Sequence, residues 1–196
     1  MLYCSFMFLR LLLIAFFLVS SVAAAPYKID SYHSNVDFSV THLVISQVNG
    51  MFTEFDGHID WDMKKPRRSS FEGIVQVKSI DTNNVKRDQH LRSSDFFDVG
   101  AFPVITLKSK SIKKYKNGFK VVADLTLKGK TKRVEFPLTV KGPITDNYGN
   151  EKLAFSGSFI IDRFDYGLNW NALLESGQLV VGKDVEIRLN IQANKQ

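Results

Sequence analysis

The sequence predicts an all-β fold, an eight-stranded antiparallel β-barrel with a short helix in the crossover near residues 84–94. Three observations lead there. Apolar and polar residues alternate with a period of two through eight runs of the chain, the mark of strands with one buried face. Short segments rich in turn-forming residues join most of these runs. No segment carries the 3.6-residue apolar period of a long amphipathic helix.

Residues 1–25 read as a secretory signal peptide. Leu11 to Val19 is an unbroken apolar run preceded by Arg10, too short for a comfortable membrane span, and Ser20 to Ala25 supplies small residues for cleavage after Ala24 or Ala25. The expectation is a periplasmic or secreted protein whose residues 26–196 form one domain. The single cysteine, Cys4, lies in the leader, so no disulfide is available and stability must come from the core. The net charge of +6 is spread along the chain, with Lys64-Lys65, Arg67-Arg68 and Lys113-Lys114 in loops. That pattern favours transient contact with anionic membrane surfaces and lacks the clustered stripe of a nucleic-acid binder.

Tyr27 to Asp30 and a turn around Ser31 lead into the first strand, Val36 to His42, with Val36, Phe38, Val40 and His42 on one face. The second runs from Gly50 to Trp61, with Met51, Phe55, Ile59 and Trp61 on one face and Glu54, Asp56, His58 and Asp60 on the other. After the polar loop Lys64 to Ser69, Phe71, Gly73, Val75 and Val77 alternate again. From Ser79 to Pro103 the alternation stops. Asn84 to Ser94 suits a helix of two or three turns, with Thr82 or Asn83 as its cap.

Val104 to Ile112 is the least regular strand and Gly118 to Leu127 the clearest. Lys128 to Thr131 makes a tight hairpin, and Val134, Phe136, Leu138 and Val140 return from it. Pro137 cannot donate to a ladder, which predicts an edge position or a bulge there. The turn Asp146 to Asn150 precedes the strand Leu153 to Ile161. A second irregular stretch, Asp162 to Asp184, precedes the last strand, Val185 to Ile191.

A membrane barrel also alternates, with its apolar face toward lipid. The chain has no terminal aromatic strand and no girdle of Trp and Tyr, and its polar faces carry many Lys and Glu. The apolar face is therefore expected to point inward. Phe38, Val40, Phe55, Phe71, Val75, Phe119, Leu125, Phe136, Phe155, Phe159 and Leu189 are then the candidate lumen lining. Eight strands enclose either a packed core or room for one slender ligand. Gly57, Gly73 and Gly157 fall on inward positions, where they either bend the strands or leave space.

Several ordered blocks resemble the YceI-like family across the chain after the leader. Ile29-Asp30, His33-Ser34, Phe38, Val40 and His42 are similar to its opening, and Gly50-x-Phe52 with Phe55 and Gly57 to its second strand. Thr82, Arg87-Asp88-x-His90-Leu91, Asp95-Phe96-Phe97-Asp98 and Phe102-Pro103 resemble its central motif. Leu125-Thr126-Leu127-x-Gly129-x-Thr131, Arg163-x-Asp165-x-Gly167 and Val181-Gly182 resemble its later blocks, while Ala123 departs from an expected glycine. The resemblance implies a lipocalin-like barrel that binds a long-chain amphiphile, above all a polyisoprenoid such as an isoprenoid quinone or a polyprenyl phosphate. It also implies no required cofactor, and dimeric relatives.

Selectivity for such a ligand should lie in polar groups at the barrel mouth, because a bilayer offers the tail nearly the same hydrophobic stabilisation. Arg87, Asp88 and His90 are the candidate head-group residues, since a charged head group calls for an arginine. The alternative for Arg87 is an architectural pair with Asp88, Asp95 or Asp98. Arg163 with Asp165 stands in the same position, and Phe96 and Phe97 are expected to plug the barrel end. His33, His42, His58 and His90 show no metal-ligand spacing, and a buried, hydrogen-bonded His42 is expected. Lys128 to Thr131 ends like a phosphate-binding loop but lacks its earlier glycine and its helix. No nucleophile sits beside a base, so the sequence points to binding. An enzyme acting on a lipid in the same cavity is the alternative.

Overall fold

The computed structural model describes residues 24–196. The leader expected over residues 1–25 lies, apart from its last two residues, outside the described residues. The strands are β1 (Ala25–Ile29), β2 (Asn35–His42), β3 (Ser46–Phe52), β4 (Phe55–Trp61), β5 (Ser70–Gln76), β6 (Ile80–Asp81), β7 (Val104–Tyr115), β8 (Gly118–Leu127), β9 (Lys130–Thr145), β10 (Glu151–Asp162) and β11 (Val181–Lys195). One helix, α1 (Val85–Arg92), lies between β6 and β7.

These strands make eight staves, because three staves are each broken into two strands. β1 and β2 are separated by a turn at residues 30–34, β3 and β4 by Thr53-Glu54, and β5 and β6 by the turn Val77–Ser79. Every pairing is antiparallel, and each stave pairs with the next in sequence. β11 closes the barrel by pairing with β2 through its first part and with β1 through its last. Closure leaves no long exposed edge among the described residues, the main hazard of an all-β chain.

The breaks explain where alternation misled. The run Gly50 to Trp61 is two strands, and the two residues between them shift the side-chain phase. Phe52 therefore points inward and is buried, while Met51, expected inward, is exposed. The stave also begins earlier, at Ser46, after a hairpin tip where Leu43 and Val44 both have positive φ. The irregular β7 carries a register shift between Ser109 and Ser111. That bulge moves the inward set from Ile105 and Leu107 to Ile112, which is why no single period fits the strand.

Pro137 has the predicted local edge. The ladder from β9 to β10 ends at Leu138, so Pro137 pairs only with Lys120 of β8. The N-cap of α1 is Asn84, one residue later than expected; its side chain accepts from the Arg87 amide.

One end of the barrel is closed by side chains. The Trp61 ring meets Phe119 edge-on at 5.1 Å and Phe155 at 5.2 Å, and its Nε1 donates to Met63 Sδ. Tyr27, Ile112 and Leu153 are buried around them. This end is the floor. The opposite end, the roof, carries α1, residues 93–103, the hairpin at Lys128-Gly129 and the long connection from β10 to β11.

Candidate ligand-binding cavity

Above the floor the barrel is hollow, with a cavity of about 540 Å³. That lies in the range of roughly 300–1,000 Å³ typical of small-molecule sites. Phe38 and Val40 of β2, Phe55 of β4, and Phe71 and Val75 of β5 line it. Leu125 of β8, Phe136 of β9, Phe155 and Phe159 of β10 and Leu189 of β11 stand around the rest of the wall. Phe119 alone of the expected lining residues lies elsewhere, in the floor against Trp61. Two of the inward glycines serve packing. A Cβ on Gly157 would lie 3.0 Å from the Phe136 ring, which stacks on Phe159 at 4.9 Å. A Cβ on Gly57 would lie 2.9 Å from Ile29 Cδ1, so Ile29 occupies that place.

The roof is built from the Ser79 to Pro103 crossover. Arg92 donates from Nε to the Lys78 carbonyl at 2.7 Å and from Nη2 to the Ile80 carbonyl at 2.6 Å, tying α1 to β6. Asp88 is buried and does not face the cavity, contrary to its proposed head-group place. Its Oδ1 accepts from the Thr82 amide at 3.0 Å and from the Thr82 hydroxyl at 2.5 Å. A carboxylate one helical turn from the loop, with two donors waiting, is more stable satisfied there than opened to an apolar lumen.

Arg87 and His90 do line the cavity. Arg87 donates from Nε to Thr82 Oγ1 at 2.8 Å and from Nη2 to the Thr82 carbonyl at 2.7 Å. No carboxylate of the described residues lies within salt-bridge distance of it, so the expected pairs with Asp88, Asp95 and Asp98 do not form. It is His90 that meets Asp95, with Nε2 3.4 Å from Oδ2. The imidazole also stands edge-on to Phe96 at 5.1 Å and to Trp170 at 5.3 Å. Phe96 and Phe97 both border the cavity, and Phe97 packs edge-on to Phe52.

Arg163 is the second roof cation. Its side chain is buried, and it borders the cavity. Nε donates to the Gly182 carbonyl at 2.9 Å, Nη1 to the carbonyls of Leu168 and Trp170, and Nη2 to that of Val181 at 3.1 Å. Asp165, its expected partner, instead lies 4.0 Å from Lys132. Burial holds the Arg163 guanidinium below its ordinary pKa, since desolvation disfavours the charged form, and the nearby Asp162 partly opposes this. One side chain thereby clamps both ends of the irregular connection between β10 and β11.

Sequence reasoning missed Thr82, Lys86 and Trp170 as cavity neighbours. Trp170 sits in a stretch with no period to place it, and Lys86 read as an ordinary exposed helix residue. His42 also departs from expectation. It is half-buried at the cavity wall, and its ring makes no hydrogen bond among the described residues. His58 is exposed on the outer face, as expected. Among the described residues no group of three His, Cys, Asp or Glu side chains is placed to hold a metal ion.

A closed meander barrel with an apolar lumen and a polar, cationic roof defines a class of lipocalin-like barrel proteins. The chain belongs to the family of the YceI-like domain, which matches residues 27–193. A UPF0312 protein of Pseudomonas paraeruginosa is 32% identical over 184 residues, covering 93% of each chain. The crystal structure of Burkholderia cenocepacia BcnA superposes with a TM-score of 0.74 at 22% identity, covering 84% of this chain and 98% of the other. A structure described as a polyisoprenoid binding domain from Saccharophagus degradans, implicated in plant cell wall breakdown, is similar with a TM-score of 0.66 at 17% identity, covering 88% and 99%.

Proposed function

We propose that this protein binds a long-chain isoprenoid, an isoprenoid quinone or a polyprenyl phosphate, and carries or stores it in the barrel lumen. The observation that carries the reading is the cavity itself: an apolar interior closed at the floor and bordered at the roof by Arg87, His90 and Arg163. The YceI-like family and the polyisoprenoid binding domain of similar fold support the ligand class.

Physical chemistry assigns the parts of such a ligand. At about 0.8 kcal/mol per buried CH₂, each isoprene unit contributes several kcal/mol of gross stabilisation, but a membrane offers the tail nearly as much. Discrimination then falls to fit and to the head group. Among the described residues no carboxylate pairs with the Arg87 guanidinium, which suits it to an anionic phosphate or a quinone carbonyl. We propose binding rather than turnover, because the Asp88 carboxylate is buried away from the cavity and the Thr82 hydroxyl is taken up between it and Arg87. The leader-like first 25 residues support delivery to the periplasm or the exterior. Transient contact with a membrane surface, where such lipids reside, and a homodimer belong to the same proposal.

The test is native mass spectrometry and organic extraction of the full chain expressed with its leader in a bacterial periplasm. A retained isoprenoid mass is the expected result, and protein that stays empty in the presence of isoprenoids overturns the reading. Loss of turnover with retained binding in Arg87→Ala or His90→Ala would place the protein among lipid-modifying enzymes instead.

A further inference from the structure

The third inward glycine, Gly73, differs from the other two. A Cβ built on it meets nothing within 4 Å among the described residues, whereas Gly57 and Gly157 are each covered by a neighbouring side chain. Gly73 lies directly opposite Gly57 on β4 and opposite Leu107 on β7. Residues directly opposite in a ladder share a face. Gly57 is covered by Ile29 and Leu107 borders the cavity, so the place beside Gly73 belongs to the lumen. The cavity reaches the flanking residues Asp56, His58, Glu72 and Ile74, which alternate toward the outer face, so bare backbone forms its wall here. Two glycines side by side thus remove one layer of side chains from the barrel wall.

The level of that layer matters. The next inward pair toward the floor is Ile59 with Phe71, and beyond it stands Trp61, the plug. Below the Gly57–Gly73 layer the cavity runs on only to Ile59, Phe71 and Trp61, so this layer is the last without side chains of its own before the closed end. Gly73 has none of the positive φ that would demand glycine for the backbone alone. In a strand interior glycine is a weaker choice than a residue with a side chain. An unfilled apolar notch also forgoes packing unless a ligand supplies the missing atoms.

We infer that the Gly73 notch is a tail-end subsite, and that the absence of a side chain there sets the length of apolar chain the barrel accepts. The inference rests on the proposed function and adds the residue that measures the chain. A Cβ at position 73 would stand in the notch without meeting the wall, and a leucine there would shorten the usable lumen by one inward layer, about 6.8 Å along the strand.

The experiment offers stripped wild type, Gly73→Ala and Gly73→Leu proteins a mixture of polyprenyl alcohols of graded length and reads the bound masses by native mass spectrometry. The expected result is a shift toward shorter chains, slight for Ala and about one isoprene unit for Leu, as one layer of depth is lost. Should Leu disturb the barrel, the Ala protein still reads the direction of the shift, with its thermal unfolding as the check on folding. Gly118→Ala, at the floor start of β8 and away from the cavity lining, is the control. Its Cβ would lie 2.6 Å from the Leu138 carbonyl oxygen, so it should lower the unfolding temperature and leave the bound lengths alone. An unchanged distribution in Gly73→Leu beside a loaded wild type overturns the inference and leaves the proposed function standing. The same shift from Gly118→Ala as from Gly73→Leu overturns it too. Wild type that takes up none of the alcohols, and no isoprenoid in the periplasm, overturns the proposed function and the inference together.

Discussion

The floor and the roof of this barrel solve opposite problems. At the floor, apolar rings fill the space: Trp61 is edge-on to two phenylalanines, and the strands there are joined by hairpins and one short loop. Polar groups at that end pair around the rim, as where the Tyr27 hydroxyl donates to Glu151 at 2.5 Å and Lys195 stands 3.2 Å from the same carboxylate. At the roof two of the connections are long, and the two arginines that border the cavity bond to neutral oxygens. An arginine whose donors go to carbonyls keeps its positive charge uncancelled. The contrast teaches that closure is supplied by one end, which leaves the other free to hold charge beside an apolar cavity.

The strongest way to break this contrast is to unplug the floor. Trp61→Ala should cost about 3–5 kcal/mol, the range for removing a buried aromatic, measured by denaturant unfolding. Its effect on the head group retained should be nil, since Trp61 lies at the far end.

Arg163→Met comes next. It leaves the carbonyls of Leu168, Trp170, Val181 and Gly182 without that donor, at a cost of about 1–3 kcal/mol. Hydrogen exchange should localise the loss of protection to residues 163–182.

Arg87→Ala sharpens the comparison from the functional side. It should change global stability by about 1 kcal/mol or less. It should weaken the affinity for a polyprenyl phosphate about tenfold, the loss of one charge-assisted hydrogen bond, read by titration calorimetry. Equal stability losses from Arg87→Ala and Arg163→Met would erase the distinction between them.

The smallest effect belongs to the turn after β9. The Asn150 backbone amide, with its side chain and the Tyr148 amide, bonds the Asp146 carboxylate and lowers its pKa from the ordinary 3.8 to about 2. A depressed folded-state pKa stabilises the fold above the unfolded value, and that contribution disappears as pH falls from about 4 toward 2. Asp146→Ala should therefore lower the unfolding temperature at neutral pH and converge with wild type near pH 2.

Particular residues show how far alternation carries. β8 has one period from end to end, and Val121, Ala123, Leu125 and Leu127 are all buried as that period requires. The run through Met51 failed because two residues outside the ladder reverse the phase, and nothing local to Thr53-Glu54 announces it. Arg87 and His90 were legible as roof residues because the family's central motif gathers them in one crossover. Asp88, in the same motif, turned away because Thr82 offers it two donors, a choice made by helix geometry rather than by residue type.

Composition and periodicity alone determined that this chain forms eight staves with an apolar interior, because each strand's pattern is local and repeats every two residues. Which inward positions are filled was decided only by the tertiary structure. Gly57, Gly73 and Gly157 look alike in the chain, yet Ile29 covers the first, Phe136 covers the last, and none of the described residues covers Gly73. The same holds at the roof, where the partners of Arg87 and Arg163 come from residues up to 19 positions away. Filling depends on what the opposite wall presents, and that is fixed only when the barrel closes.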